Sequence, residues 1–381
     1  MNQPALAPRL GHNPELDGLR GVAVLLVVAY HSLANRVGTL SSGLDVFFVL
    51  SGFLITTLLL EEHEHTGRVA LGNFFRRRGL RLLPALYVYL LFNLAMAVGS
   101  SLGVPTLDGV WDLRTVAAES AAAVAYVYPA MLALWGDPSA LRMPHLHSLA
   151  QEEWFYFLWA PLMGWALGRG RLNRVVKITV ALLAVITLAR LFLVTRGDPG
   201  LVGPLRPDMM FLGAMVAVGR RWWLSQSAER VEQLRRWIAF VGIAGTLAFV
   251  VSNAGGWLDG ARVSVAAVTG TRLFAVFPLL ALLSVSDSNP IRGSLRHPVL
   301  QWYGRLSYGV YLWHLTVLLW ANGGAELIAG TERIQQNRPT WVFIVAAVGG
   351  GSLLAWASYE LVERRFMAMA RRYRTVIPAT A

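Results

Sequence analysis

Arg20 and His31 are separated by ten residues in a stretch that is otherwise apolar from Leu19 to Tyr30. On an α-helix that separation is about 16 Å and close to three whole turns, so the two side chains share one face at different depths. A single arginine at the edge of such a stretch is most often an anchor that snorkels to water, and a single histidine is most often a packing residue. Both on one face point instead to function. An imidazole titrates near neutrality and can take a proton from a reacting hydroxyl as a general base. Such a base needs an orienting acid, and Asp45 opens the next apolar run from the same side as His31. Its carboxylate could hold the imidazole tautomer or could cap the start of its own helix.

Three further segments concentrate polar chemistry. Residues 73–87 read NFFRRRGLRLLPALY and crowd Arg76, Arg77, Arg78 and Arg81 at one boundary. Guanidinium groups present a planar fork of donors suited to phosphate. They also hold a loop on one side of a membrane, and composition alone favours that topological role. Residues 145–156 read HLHSLAQEEWFY. Glu152 and Glu153 are adjacent, about 100° apart on a helix, so one of them at most should face a polar cavity. The two histidines lack the further ligands that a metal site requires, and no metal is expected. Residues 304–314 read GRLSYGVYLWH and place His314 in mid-helix beside Tyr308 and Tyr311, where it could line the same cavity as His31. Glu360 and Glu363 lie next to Arg364 and Arg365 near the end of the chain, where ion pairing is the simpler reading.

The elements that must position these residues are membrane helices. Of 381 residues, 55% are hydrophobic and 15% charged, with no cysteine; mean hydropathy is +0.49. Soluble domains carry about 25% charged residues. The lack of cysteine excludes thiol nucleophiles and thiolate-bound metals. Apolar runs long enough to cross about 30 Å of hydrocarbon begin near Leu19, Leu44, Leu80, Leu149, Val175, Asp208, Trp237, Val263, Trp302 and Trp341. The fold expected is an all-α polytopic bundle of about ten helices. The net charge of +12 is almost entirely arginine, clustered in short segments between the runs. That distribution follows the positive-inside rule and argues against nucleic-acid binding. Placing residues 75–81, 169–177, 220–236, 292–296 and 364–374 in the cytoplasm lets ten spans alternate with both termini inside. Residues 115–134, with Glu119 and Pro129, break this alternation if they cross. They are read as peripheral or re-entrant, with an eleventh span as the alternative. The N-terminal segment lacks the compact basic region of a cleaved signal peptide, so the first run is read as a retained helix.

The ordered motifs LDGLRGVAVLLVVAYH, GLDVFFVLSGFLI, RRGLRLLPALY, SLAQEEWFYF and GRLSYGVYLWH resemble the integral-membrane acyltransferase-3 family from Leu16 to Phe366. The resemblance implies a membrane O-acyltransferase. It would move an acyl group, acetyl or another short acyl, from acyl-CoA to a hydroxyl of a carbohydrate or glycosylated metabolite, such as a surface polysaccharide or a macrolide-type sugar. It implies Arg20, Arg78 and Arg81 as donor-binding residues and His31 as general base, with Asp45 or Glu153 assisting and His314 and Tyr308 toward the substrate. Acyl-CoA is then a co-substrate, and no permanently bound cofactor is expected. The expected boundaries are a cytoplasmic tail over residues 1–17, a membrane acyltransferase domain over 18–366 and a second tail over 367–381, in a bacterial cytoplasmic membrane. The chain is expected to be the stand-alone form, without a fused hydrolase-like domain. Two departures stand out. His147 replaces the family's usual tryptophan, which bears on the acceptor pocket, and Arg364 replaces the proline that usually follows the last glutamate. A transporter or flippase for a glycoside uses the same intramembrane residue types, but internal repeats, which such proteins often carry, are not seen. A non-catalytic scaffold fits poorly with the cost of inserting ionisable groups, about 2.5–3.5 kcal/mol each.

Overall fold

The computed structural model describes residues 9–33, 40, 42–104, 111–134, 141–195, 207–254, 274–321 and 340–373. These are helical almost throughout, with no strand among them. In chain order the helices are α1 (Pro14–Ser32), α2 (Ser42–Thr66), α3 (Leu71–Ser101), α4 (Leu113–Val124), α5 (Tyr128–Leu134), α6 (Leu146–Gly168) and α7 (Leu172–Thr195). They continue with α8 (Pro207–Leu224), α9 (Ala228–Ala254), α10 (Phe277–Ser284), α11 (Pro290–Leu295) and α12 (Pro298–Ala321). The last, α13, runs over Thr340–Tyr373 and contains π-helical turns at Ala346–Gly350 and Tyr359–Glu363.

The protein is an all-helical membrane protein. Four stretches among the described residues, Ser42–Thr66, Leu71–Ser101, Leu172–Ala189 and Thr340–Tyr373, are long and apolar enough to cross a bilayer by length and composition. Every expected span coincides with a helix except the one placed near Val263, which begins outside the described residues. Both ends of the chain, residues 1–8 and 374–381, also lie outside them. Residues 115–134 divide into α4, capped by the Asp112 carboxylate on the Thr115 N–H, and the short α5. At 12 residues α4 is about 18 Å long, too short to cross hydrocarbon by itself. Outer faces are lipid-like: Ile178, Val185, Leu188 and Phe192 on α7 and Phe240, Leu247 and Val251 on α9 are exposed.

Helix α1 is the hub of the bundle. Val24 and Val28 belong to one apolar core with α3, α4, α12 and α13. Leu16, Leu19 and Ala23 belong to a second with α2, α6, α8 and α10. Its most extensive partner is α12, and the two run parallel, with Asp17 at Gly304 and His31 at His314. A Cβ at Gly18 or Gly21 would strike the carbonyl oxygens of Leu295 or Leu300, and one at Gly304 would strike that of Asp17. The same device joins α2 to α8, where Gly52 meets the Met210 carbonyl and Gly213 that of Val49. In lipid there is no hydrophobic drive between helices, and close backbone packing through small residues takes its place. The foot of α1 is tied by charge: the buried Glu15 accepts from Arg296 Nε at 2.8 Å.

The Gly304→Leu substitution should therefore force α1 and α12 apart. Overpacking costs about 1–3 kcal/mol where side chains can yield; here a backbone oxygen stands in the way, so the upper end is expected. A fall of several degrees in the melting midpoint of the detergent-purified protein checks this, with Gly293→Leu, which meets nothing within 4 Å, as the neutral control.

Candidate active site

The last turn of α1 delivers His31 to α12. His31 Nδ1 lies 3.0 Å from the Val27 carbonyl oxygen, which can only accept, so Nδ1 carries the proton. The same N–H points to His314 Nε2 at 3.1 Å. His314 Nδ1 donates in turn to the Tyr311 carbonyl at 2.6 Å, which leaves His314 Nε2 as an acceptor. The two assignments agree, and both follow from the partners rather than from observed protons. His31 Nε2 then bears a lone pair with no hydrogen bond among the described residues.

A third imidazole closes the cluster. His145 donates from Nε2 to the Leu312 carbonyl at 3.2 Å, and its ring centroid lies 5.5 Å from that of His314. Its Nδ1 is buried without a partner. Tyr311 Oη donates to the His145 carbonyl at 2.9 Å and lies 2.5 Å from Ser148 Oγ. The segment carrying His145 is braced from below by Glu119. This buried carboxylate accepts the Tyr128 hydroxyl and the backbone N–H groups of Arg142 and Met143, the latter at 2.7 Å.

Toward the other end of α1, Arg20 joins a cluster of guanidinium groups whose other members, Arg78 and Arg81, are carried by α3. Arg78 is held by protein acids: its Nε donates to Glu153 at 2.8 Å, a second nitrogen is 3.4 Å from Glu152, and the group stacks on the Tyr156 ring. Glu152 also accepts from Ser51 at 2.5 Å and from Tyr156. Arg20 and Arg81 differ. Arg20 Nε is buried with no hydrogen-bond partner, and Arg81 makes no hydrogen bond or ion pair among the described residues. Arg20 is the strongest electrostatic neighbour of Arg81, followed by Arg78, with Glu152 and Asp17 opposing them. Two unmatched cations side by side in a low-dielectric region repel one another, and an anion between them removes that cost. A cation cradle thus sits at one end of a helical face and a proton acceptor at the other. That is the order in which a phosphate-bearing thioester presents its charge and its reactive carbon.

A family model described as an acyltransferase domain, that of the acyltransferase-3 family, matches residues 13–360. The chain belongs to this family. It is 26% identical over 366 residues to the O-acetyltransferase OatA of Staphylococcus aureus (strain NCTC 8325 / PS 47), covering 92% of this chain and 56% of that protein. It is 29% identical over 376 residues to the putative O-acetyltransferase SAS0844 of S. aureus (strain MSSA476), covering 94% of this chain and 58% of the relative. The chain thus spans little more than half the length of these curated relatives. No solved structure matches it.

In this acyltransferase-3 chain the other expected residues fall as follows. Asp45 is buried in the first turn of α2. It is not a hydrogen-bond partner of His31, whose partners among the described residues are Val27 and His314. Glu153 is engaged by Arg78 rather than by an imidazole. Both glutamates, about 100° apart on α6, are reached by the single forked guanidinium of Arg78. Residues 76–78 lie inside α3, not in a loop: Arg76 is exposed, Arg77 donates to the Tyr373 carbonyl at 2.6 Å, and Arg78 alone is neutralised by the two glutamates. Tyr308 Oη is buried and unpartnered on α12, and the Ser307 hydroxyl beside it is as well. Glu363 accepts from Ser358 at 2.9 Å across the second π-turn of α13, and Arg81 lies within its electrostatic range. Its expected pairing with the neighbouring arginines does not form, whereas Glu360 does pair with Arg364. The sequence assigns His145 no role at the site. Its signal was present in the motif HLHSL, but its closeness to His31 depends on α12. Among the described residues no group of three or more His, Asp or Glu side chains could hold a metal ion.

The Arg78→Leu variant should lose about 3–5 kcal/mol, because it leaves the buried Glu153 and the part-buried Glu152 without their cation. Adding Glu152→Gln and Glu153→Gln to it should restore most of that loss. Melting curves of the single and triple variants in detergent check the pair.

Proposed function

We propose that this chain is a membrane O-acyltransferase that transfers an acyl group, acetyl or another short acyl, from acyl-CoA to a hydroxyl of a carbohydrate or glycosylated metabolite. The observation that carries the reading is the unmatched pair of Arg20 on α1 and Arg81 on α3, with Arg20 on the same α1 face as a histidine with a free Nε2 lone pair. The family membership and the O-acetyltransferase names of the two relatives support it.

Donor phosphates would lie between Arg20 and Arg81, with Arg78 fixed by its glutamates and adding to the local field. The pantetheine arm would run along α1 and α12 past Ser307 and Tyr308, whose unpartnered hydroxyls can take its amides. The distance from Arg20 to His31, about 16 Å, suits an arm of that order. His31 Nε2 takes the acceptor's hydroxyl proton as that oxygen attacks the thioester carbonyl. The tetrahedral intermediate collapses with cleavage of the C–S bond, and the leaving thiolate recovers the proton from His31. Transfer is direct, without an acyl-enzyme. The chain crosses the bacterial cytoplasmic membrane with ten helices and both termini inside, so the arginine cluster faces the cytoplasm that supplies acyl-CoA. Surface polysaccharide and macrolide-type sugars are the acceptor classes.

His31→Ala should lower kcat for acetyl-CoA-dependent transfer by at least about 100-fold, with the melting midpoint unchanged. Arg81→Ala should raise KM for acetyl-CoA about tenfold or more, since a charged hydrogen bond contributes about 1.5–3 kcal/mol, and should leave kcat nearly intact. Assays in proteoliposomes with a sugar acceptor read both; normal turnover in His31→Ala would sink the mechanism.

A further inference from the structure

We infer that His314 is the positioning residue of the reaction: a neutral imidazole that accepts the His31 Nδ1–H, in the place where hydrolytic triads use a carboxylate. The inference rests on the reading of His31 as general base. It starts from the directions of three hydrogen bonds. The Tyr311 carbonyl takes the proton of His314 Nδ1, and the Val27 carbonyl takes that of His31 Nδ1. The contact of 3.1 Å between the rings can then have only one direction, from His31 Nδ1–H to His314 Nε2. His314 therefore has no free lone pair and cannot itself be the base. His31 keeps its Nε2 lone pair open.

The carboxylates expected to do this work are occupied or absent from the contact. Glu153 is bound to Arg78, and Asp45 is not a partner of His31 among the described residues. His314, by contrast, is built for a fixed role. It is fully buried, and Gly351 of α13 packs closely against its backbone, where an added Cβ would come within 3.3 Å of the His314 Cα. His145 covers its other side, with ring centroids 5.5 Å apart.

The consequence is mechanistic. When His31 gains a proton at Nε2 it becomes an imidazolium, and its Nδ1–H bond to His314 turns from neutral to charge-assisted, roughly doubling in strength. The partner stabilises the charge where it develops. It also locks the tautomer that leaves Nε2 open. A neutral partner does this without adding a second buried charge to a bilayer-embedded site.

The test is a pair of substitutions in the purified full chain with acetyl-CoA and a sugar acceptor. His314→Leu should lower kcat about 100-fold and leave both KM values within about threefold. His314→Gln, whose amide oxygen can accept the same N–H, should retain kcat within about tenfold of wild type. A merely structural role would move the melting midpoint and both KM values and would not distinguish Gln from Leu. Wild-type kcat in His314→Leu, an equal loss in both variants, or a loss confined to KM overturns the inference. Failure of the underlying reading is separate: it would appear as absence of acetyl-CoA-dependent transfer by the wild-type chain, or as full activity of His31→Ala.

Discussion

The close approach of α1 and α12 is the constraint on which the site depends. Gly21 and Gly304 let the two backbones come within carbonyl distance of one another, and Gly18 does the same for α1 against Leu295 at the end of α11. In a medium that offers no hydrophobic drive between helices, that proximity supplies the dispersion contacts that hold them. Because the helices run parallel, their polar faces also rise together. Arg20 sits opposite the foot of α12, and His31 reaches His314 near its upper end.

Charge in an apolar interior is tolerated here in two different ways. Arg78 is neutralised in place, by two glutamates and the face of a tyrosine, and so cements α3 to α6. Arg20 and Arg81 have no such acids within bonding reach. The contrast matters more than the number of arginines: a matched cation is architecture, and an unmatched pair has a free energy that an anion can lower. Glu119 illustrates the same rule for carboxylates. It is buried but holds a hydroxyl and two backbone N–H groups, and in doing so it fixes the segment that carries His145.

Much of this was legible in the residue order. Runs of apolar residues located the helices because hydrocarbon thickness sets a minimum length, and α1, α2, α6 and α12 begin within a few residues of where those runs do. The Arg20–His31 spacing was legible as a shared face because helix periodicity is fixed by backbone geometry. Other features were not. The basic stretch at residues 75–81 reads as an interfacial loop, since nothing local reveals that Glu152 and Glu153 lie across the bundle from it. The roles of Asp45 and Glu153 beside His31 were plausible from chain order, yet Arg78 takes Glu153 and the Val27 carbonyl and His314 take the His31 proton.

The sequence by itself determined the membrane setting, the helical class, the family and the pairing of an arginine with a histidine on one face, because each follows from periodicity or from motifs local in the chain. Only the tertiary structure decided which cations are matched, which histidine nitrogen bears the open lone pair and which side chain stands behind it. Those depend on contacts between residues separated by 75 positions, as for Arg78 and Glu153, or by 283, as for His31 and His314. Helix periodicity carries no information over such separations; the packing of one helix against another does.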